Sequence, residues 1–151
     1  ADVLCVGIPL GHAFGRIGCF FHGCCWGKVS DSVLAVTFPA NSPVWGAHRA
    51  GDFASRSLSV LPTQLFEAAA LLALFAALLL VYRKFKGYTA ALYMIGYSLI
   101  RFFMEFLRDD PRPEMCGLSS AQNVSVILFG VGIAFFIWSY SRNAKSSSDN
   151  R

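Results

Sequence analysis

The sequence predicts an all-α, polytopic membrane helix bundle, and its composition is the first reason. Of the 151 residues, 55% are hydrophobic, 15% are charged and 14 are Phe, and the mean hydropathy is +0.50. A soluble domain usually carries about 25% charged residues. A soluble core of this size could not hide so much apolar surface, so a membrane is the simplest place for it.

The lengths of the apolar stretches are the second reason. Four stretches come close to the roughly 20 residues that a helix needs to cross a bilayer core. They cover residues 3–21, 61–82, 88–107 and 119–140. We therefore expect about four transmembrane helices in a single membrane domain over residues 1–151. Residues 22–60 hold Pro, Gly and Ser and predict a small irregular lobe, with a short strand at 34–38. Residues 141–151 predict a polar tail, disordered towards its end.

Basic residues predict the orientation of the bundle. They follow the second and fourth stretches, as Arg83, Lys84, Lys86, Arg142 and Lys145. By the positive-inside rule both clusters, and with them the C-terminus, lie in the cytoplasm, and the lobe is extracytoplasmic. The net charge is only +4, with no basic stripe, so we expect no nucleic-acid partner. The chain also begins as if in the middle of a longer protein.

Ionisable residues inside the apolar stretches indicate a functional site. Arg16, Glu67, Arg101 and Glu105 come from three stretches, and the orientation argument puts all four in the outer half of the membrane. An arginine at the bilayer centre costs at least ~2.5 kcal/mol, so such residues usually face a bundle interior. Two arginines with carboxylates to orient them suit an anionic group such as phosphate. Two alternatives remain: Arg101 and Arg108 as interfacial anchors, or a salt-bridge network that only holds the helices together.

A cluster of thiols and imidazole follows Arg16. It comprises Cys19, His22, Cys24 and Cys25, whereas Cys5 and Cys116 lie elsewhere. We predict no metal site, because zinc sites normally pair Cys-x2-4-Cys with a second ligand pair. A disulfide between the adjacent Cys24 and Cys25 would be strained. A Cys19–Cys24 disulfide, a reactive thiol and structural packing of the thiols remain open.

Four motifs together resemble a known family. Residues 15–27 read Gly-Arg-Ile-Gly-Cys-Phe-Phe-His-Gly-Cys-Cys-Trp-Gly, which resembles the signature Gly-Arg-x-Gly-Asn-Phe-x-Asn-Gly-Glu-x-x-Gly of the prolipoprotein diacylglyceryl transferases. Residues 61–67, 96–109 and 118–122 resemble that family's later motifs, in the same order. The chain departs from the pattern at four polar positions: Cys19, His22, Cys24 and Leu61. The family's N-terminal helices with a His-Gly-Gly motif are absent, so the resemblance covers roughly the C-terminal half.

The resemblance implies a bacterial inner-membrane enzyme. It would transfer diacylglyceryl from phosphatidylglycerol to the lipobox cysteine of a prolipoprotein, with membrane lipid around it and no cofactor or metal. The implied catalytic residues are Arg16, Arg101 and Glu105. The implied lipid-binding residues are Arg16, Gly23, Gly27, Gln64, Glu67, Arg101 and Arg108, with His22 as a candidate base and Cys24 as a further candidate. The alternative is a non-catalytic or divergent relative that binds anionic lipid, or that uses its Cys/His cluster for redox or metal chemistry.

Overall fold

The computed structural model describes residues 2–48, 55–82, 87–109, 114–115 and 117–148. The helices and strands in chain order are α1 Asp2–His22, α2 Pro43–His48, α3 Thr63–Val81, α4 Thr89–Glu105, β1 Glu114–Met115, β2 Leu118–Ser119 and α5 Ser120–Ser148. The prediction of an all-α membrane helix bundle is confirmed. The basic turn at 83–86, Cys116 and residues 149–151 lie outside the described residues.

Three helices in the described part of the chain are long and apolar enough to cross a membrane. They are Leu4–His22, Thr63–Val81 and Ser120–Arg142. Helix α4 has 17 residues and carries Arg101 and Glu105, so the structure gives one candidate span fewer than the sequence predicted. Large apolar side chains such as Phe21, Leu80 and Ile127 point away from the protein. These side chains have the outward orientation that contact with lipid requires.

The long helices pack as two antiparallel pairs, α1 with α3 and α4 with α5, and α4 also contacts α1 and α3. The α4–α5 crossing is close at Gly132. A Cβ atom added there would lie 2.9 Å from Cγ1 of Ile95 and 3.3 Å from its backbone nitrogen. Small residues at such crossings let two backbones approach in an apolar environment, where packing drives association.

The lobe between α1 and α3 has its own small core. Trp26, Phe38, Val44 and Val60 are buried together, with Phe20 and Val36 against them. Isolated bridges join Val29 and Val36 to Val60, and Pro39 to Arg56. The strand predicted at 34–38 is therefore wrong, because only Val36 makes a ladder pairing there. The short helix α2 and the hairpin of β1 and β2 were not predicted.

The C-terminal segment differs from the predicted polar tail, because α5 continues to Ser148. Two side-chain contacts are formed where the helix becomes polar. The Ser141 hydroxyl donates to the carbonyl of Ile137 at 3.0 Å. The Arg142 guanidinium lies 4.8 Å from the centre of the Trp138 ring, a distance typical of a cation–π contact. The helix therefore continues beyond the apolar run that defined its predicted end.

Candidate functional site

The four ionisable residues predicted to share one depth meet at one end of the bundle. They form the charge cluster: Arg16, Glu67, Arg101 and Glu105. Arg16 Nη2 of α1 lies 2.9 Å from Glu67 Oε1 of α3. Arg101 of α4 lies 4.0 Å from the other oxygen of Glu67, measured at Nη1, and 3.1 Å from Glu105 Oε2, measured at Nη2. Glu67 thus carries one cation on each oxygen. Helical spacing aligns Arg101 with Glu105, because residues four apart share a face.

The cluster is buried inside the protein. The side chain of Glu67 is 2% exposed and that of Arg101 is 9% exposed, whereas Arg16 is 19% exposed. Arg101 is therefore not an interfacial anchor reaching for water. Arg101 Nη1 is also a buried donor that makes no hydrogen bond with any residue the structure describes. A buried donor without a hydrogen bond costs free energy, and the same holds for Glu67 Oε1, which faces Arg16 without hydrogen-bond geometry.

Arg16 opens into a cavity of about 280 Å³ between α1, α3 and α4. Its lining also includes His12, Cys19, Leu71 and Tyr97. His12 Nδ1 lies 3.2 Å from the hydroxyl of Tyr93. The sequence analysis missed His12 and Tyr97, although each lies four residues before an arginine of the cluster. That helical spacing was the signal that could have found them.

The loop after α1 is fixed by the start of α3. Gly23 has φ +74° and its amide donates to the Cys19 carbonyl at 3.0 Å, as in many helix C-termini. Gln64 Nε2 donates to the Cys24 carbonyl at 2.7 Å. Thr63 Oγ1 donates to the Cys25 carbonyl at 3.0 Å. Gln64, a predicted lipid contact, therefore holds protein backbone with its amide nitrogen, while its Oε1 is buried with no hydrogen-bond partner in the described chain.

Both glycines predicted to contact a lipid head group pack against protein. A Cβ atom on Gly27 would lie 2.6 Å from Thr63 Cγ2 and 2.8 Å from the backbone oxygens of Leu61 and Leu107. One on Gly23 would lie 3.0 Å from Cβ of Ser42. These close approaches account for the glycines without a ligand. Gly27 marks the point where three chain segments meet.

Arg108 joins this end of α4 to the loop of residues 23–28, which contains Cys24 and Cys25 and is called the cysteine loop below. It is 8% exposed, forms a bridge with Gly27 through its backbone, and its guanidinium lies close enough to Cys25 to act on that thiol. Burial alone would raise the pKa of Cys25, but Arg108, Cys24 and Arg16 together lower it below the usual thiol value. Burial and the neighbouring thiols raise the pKa of Cys24 to about 12.

The sequence also proposed His22 as a base and Cys24 as a further candidate. Cys24 belongs to a group of three neighbouring thiols, and His22 does not. The Cys24 thiol donates to the Cys19 carbonyl at 3.8 Å. The sulfur atoms of Cys19, Cys24 and Cys25 all lie within 4.8 Å of one another, and His22 is not in this group. His22 is an exposed residue at the end of α1. The prediction of no metal rested on a missing second ligand pair and did not foresee three converging sulfurs.

Comparison with known proteins identifies the family of the chain. A sequence model described as prolipoprotein diacylglyceryl transferase matches residues 1–138. A phosphatidylglycerol–prolipoprotein diacylglyceryl transferase 2 of Clostridium perfringens is 39% identical over 139 residues, covering 90% of this chain and 50% of the relative. A transferase of the same name, without the number, from Clostridium tetani is 36% identical, covering 95% and 54%. One from Chlorobaculum tepidum is 32% identical, covering 93% and 46%.

The chain thus spans about half the length of the curated relatives it matches. The similarity includes the segments that carry Arg16, Glu67, Arg101 and Glu105, since all four lie within residues 1–138. The buried charge cluster, the apolar helices and the sequence similarity lead to one conclusion. The chain belongs to the prolipoprotein diacylglyceryl transferase family.

Proposed function

We propose that this chain forms the head-group end of an enzyme that moves diacylglyceryl from phosphatidylglycerol to the lipobox cysteine of a prolipoprotein. The observation that carries the proposal is the placement of Arg16 and Arg101 on either side of Glu67, with Arg101 Nη1 buried and unfilled. The names of the relatives supply the substrates.

The proposed reaction exchanges one bond for another. The sulfur of the lipobox cysteine attacks the glyceryl carbon, a carbon–sulfur bond forms, and the carbon–oxygen bond to phosphate breaks. Glycerol phosphate leaves with the electron pair, and the thiol proton goes to a base or to solvent. Negative charge grows on the departing phosphate, so fixed cations beside it lower the barrier. The attacking group is the thiolate, which a positive field also favours.

Each charged residue has a role in this proposal. Arg16 and Arg101 bind the phosphate, and a guanidinium can do so through two parallel hydrogen bonds. Glu105, 3.1 Å from Arg101, orients that guanidinium. Glu67 holds both cations before the lipid arrives. Arg108 lies beside the site and acts on Cys25, so we assign it to the loop rather than to the phosphate.

An apolar cleft offers a place for an acyl chain. It has a volume of about 240 Å³ and lies between α4 and α5, lined by Ser98, Leu99, Phe102, Phe103, Ser125, Val126 and Phe129. Ser98 and Phe102 flank Arg101 along α4. We propose that this cleft holds an acyl chain of the lipid, where burial of each CH₂ group is worth about 0.8 kcal/mol.

We also propose that the protein lies in the bacterial inner membrane with its C-terminus in the cytoplasm and its lobe outside. The support is the distribution of basic residues along the sequence, with Arg142 after the last apolar run. This orientation puts the charge cluster on the side where a secreted prolipoprotein presents its cysteine.

Arg101→Ala tests the proposal in the full-length protein. We expect transfer to a lipobox peptide, followed by the mass increase of the peptide with phosphatidylglycerol vesicles, to fall about a hundredfold or more. Arg101→Lys should remain slow, because an ammonium cannot make the bidentate contact. Arg142→Ala is the matched control, since this arginine packs on Trp138 of α5, far along the chain from the cluster.

The Lys variant also separates catalysis from stability. It keeps the positive charge next to Glu67 and Glu105, so it should accumulate in the membrane even where the Ala variant does not. Transfer by Arg101→Ala within a few-fold of the parent would make Arg101 a structural residue and would contradict the proposed mechanism. Full activity of Arg101→Lys would contradict the bidentate contact.

A further inference from the structure

Three thiols converge beside the charge cluster without a role in the proposed transfer. Cys19 lies on the last turns of α1, and Cys24 and Cys25 lie on the loop that follows. Their sulfur atoms are all within 4.8 Å of one another. All three residues are partly buried, so the group is neither a packed core nor a fully open surface.

The backbone is held in an uncommon conformation that brings these sulfurs together. Cys25 has φ +63°, a region that residues other than glycine rarely adopt. The conformation is fixed from outside, because side chains of Gln64 and Thr63 bind the carbonyls of Cys24 and Cys25. Such strained residues persist only where their surroundings impose them, and they cluster at functional sites. The side chains of adjacent residues normally point apart, whereas the turn at Cys25 leaves the sulfurs of Cys24 and Cys25 close together.

Cationic side chains lie beside the three sulfurs. Arg108 and Arg16 both act electrostatically on Cys25. Cys19 lines the cavity that contains Arg16. Three thiolates around a monovalent cation carry a net charge of about two negative units, which Arg108 and Arg16 offset in part, because Arg16 also pairs with Glu67 at 2.9 Å. The cations that stabilise the site are therefore already present in the protein.

We propose that Cys19, Cys24 and Cys25 form a three-thiolate site for a soft, thiophilic cation, with Cu(I) as the ion that fits it best. A cation about 2.3 Å from each sulfur needs sulfurs roughly 4 Å apart, a small adjustment from the present separations. Soft thiolate ligands select Cu(I), zinc and iron–sulfur clusters. Structural zinc takes four protein ligands, and the described residues bring only these three sulfurs together.

A disulfide explains the geometry less well. A disulfide would join only two of the three thiols and would not account for the position of the third. The adjacent residues Cys24 and Cys25 could form a disulfide only under strain. A metal ion uses all three. Each thiol loses its proton to solvent as its sulfur binds, and no oxidant is required.

Copper retention by the full-length protein tests the site. The protein is purified in detergent, reduced, and titrated with Cu(I) under argon against a competing Cu(I) chelator. We expect one tightly held Cu(I) per chain, lost in Cys19→Ser, Cys24→Ser and Cys25→Ser. Cys5→Ser is the matched control, because Cys5 lies on the same helix α1 but outside the sulfur group, and it should keep the metal. Copper retained equally by all four variants, or by none including the parent, would overturn the site.

Alkylation of the unmodified protein tests the same site without a variant that might misfold. Peptide mapping by mass spectrometry would follow the reaction of each thiol with iodoacetamide, with and without one equivalent of Cu(I). We expect Cu(I) to slow the alkylation of Cys19, Cys24 and Cys25 at least tenfold and to leave Cys5 unchanged. Equal rates with and without Cu(I) at those three positions would refute the proposal.

Discussion

At the scale of single residues, Glu67 is the carboxylate on which the charge cluster depends. It lies between arginines from two other helices and is almost completely buried. Removing one partner of a buried ion pair costs more than the pair contributes, because the remaining charge stays buried without compensation. In the proposed function, the salt-bridge network and the phosphate site considered from the sequence are one structure, which Glu67 stabilises before the lipid binds to Arg101.

Glu67→Gln should destabilise the protein strongly. The neutral amide keeps the shape of the side chain but leaves Arg16 and Arg101 facing each other across a buried space. We expect a loss of about 3 kcal/mol or more in the free energy of unfolding, measured by thermal unfolding in detergent. Asp31→Asn is the control, since Asp31 is exposed in the lobe and should change little. Equal melting temperatures for the two variants would contradict this account of Glu67.

At the scale of helices and loops, the contacts that α4 makes with α5 and with the cysteine loop position Arg101 and Glu105. Helix α4 carries Arg101 and Glu105 and is the shortest of the four long helices. It is held against α5 at Gly132 and against the cysteine loop by the amide of Lys28, which donates to the Leu107 carbonyl at 3.0 Å. Both contacts fix the depth and rotation of Arg101.

Gly132→Ala and Gly130→Ala form a matched pair on α5. The added methyl group at 132 meets Ile95, whereas at 130 nothing lies within 4 Å. We expect Gly132→Ala to cost about 1–3 kcal/mol through overpacking. Gly130→Ala should be neutral or slightly stabilising, because Ala favours the helix by up to about 1 kcal/mol over Gly. Unfolding in detergent compares the two, and a reversed order would show that this crossing does not limit stability.

The sequence was sufficient to predict those features that local chemistry determines. Apolar length located all four long helices to within a few residues, except at the polar end of α5. The cost of buried charge indicated that Arg16, Glu67 and Arg101 would meet. The role of Gly27 and the convergence of the thiols were not predictable, because both depend on segments distant in sequence. Nothing in residues 24–25 reveals that Gln64 and Thr63 hold their carbonyls.

At the scale of the whole molecule, the charge cluster, the cysteine loop and the lobe lie at the same end of the bundle. Helix α1 ends there and α3 begins there, while Asp109 after α4 donates its amide to the Trp26 carbonyl at 3.4 Å. Trp26 belongs to the core of the lobe. The lobe is therefore attached directly to the end of the helix that carries Arg101.

The proposed orientation predicts which surfaces a reagent outside the cell can reach. Val33 is fully exposed on the lobe, and Ser141 is exposed near the end of the last apolar run. We expect a membrane-impermeant maleimide to label Val33→Cys in intact cells and Ser141→Cys only after permeabilisation. Mass spectrometry of the substituted peptide separates this signal from the natural cysteines. Labelling of Ser141→Cys in intact cells would reverse the topology.

Helix α3 contacts both the cysteine loop and the charge cluster, and the angle between its contacting side chains around the helix axis must suit both. Gln64 binds the loop and Glu67 binds the arginines, and only three positions separate them. One residue inserted between them would rotate one contact by about 100° relative to the other. No adjustment of the loop alone could then restore both contacts. An insertion scan should therefore find residues 64–67 far less tolerant than the exposed stretch 31–34.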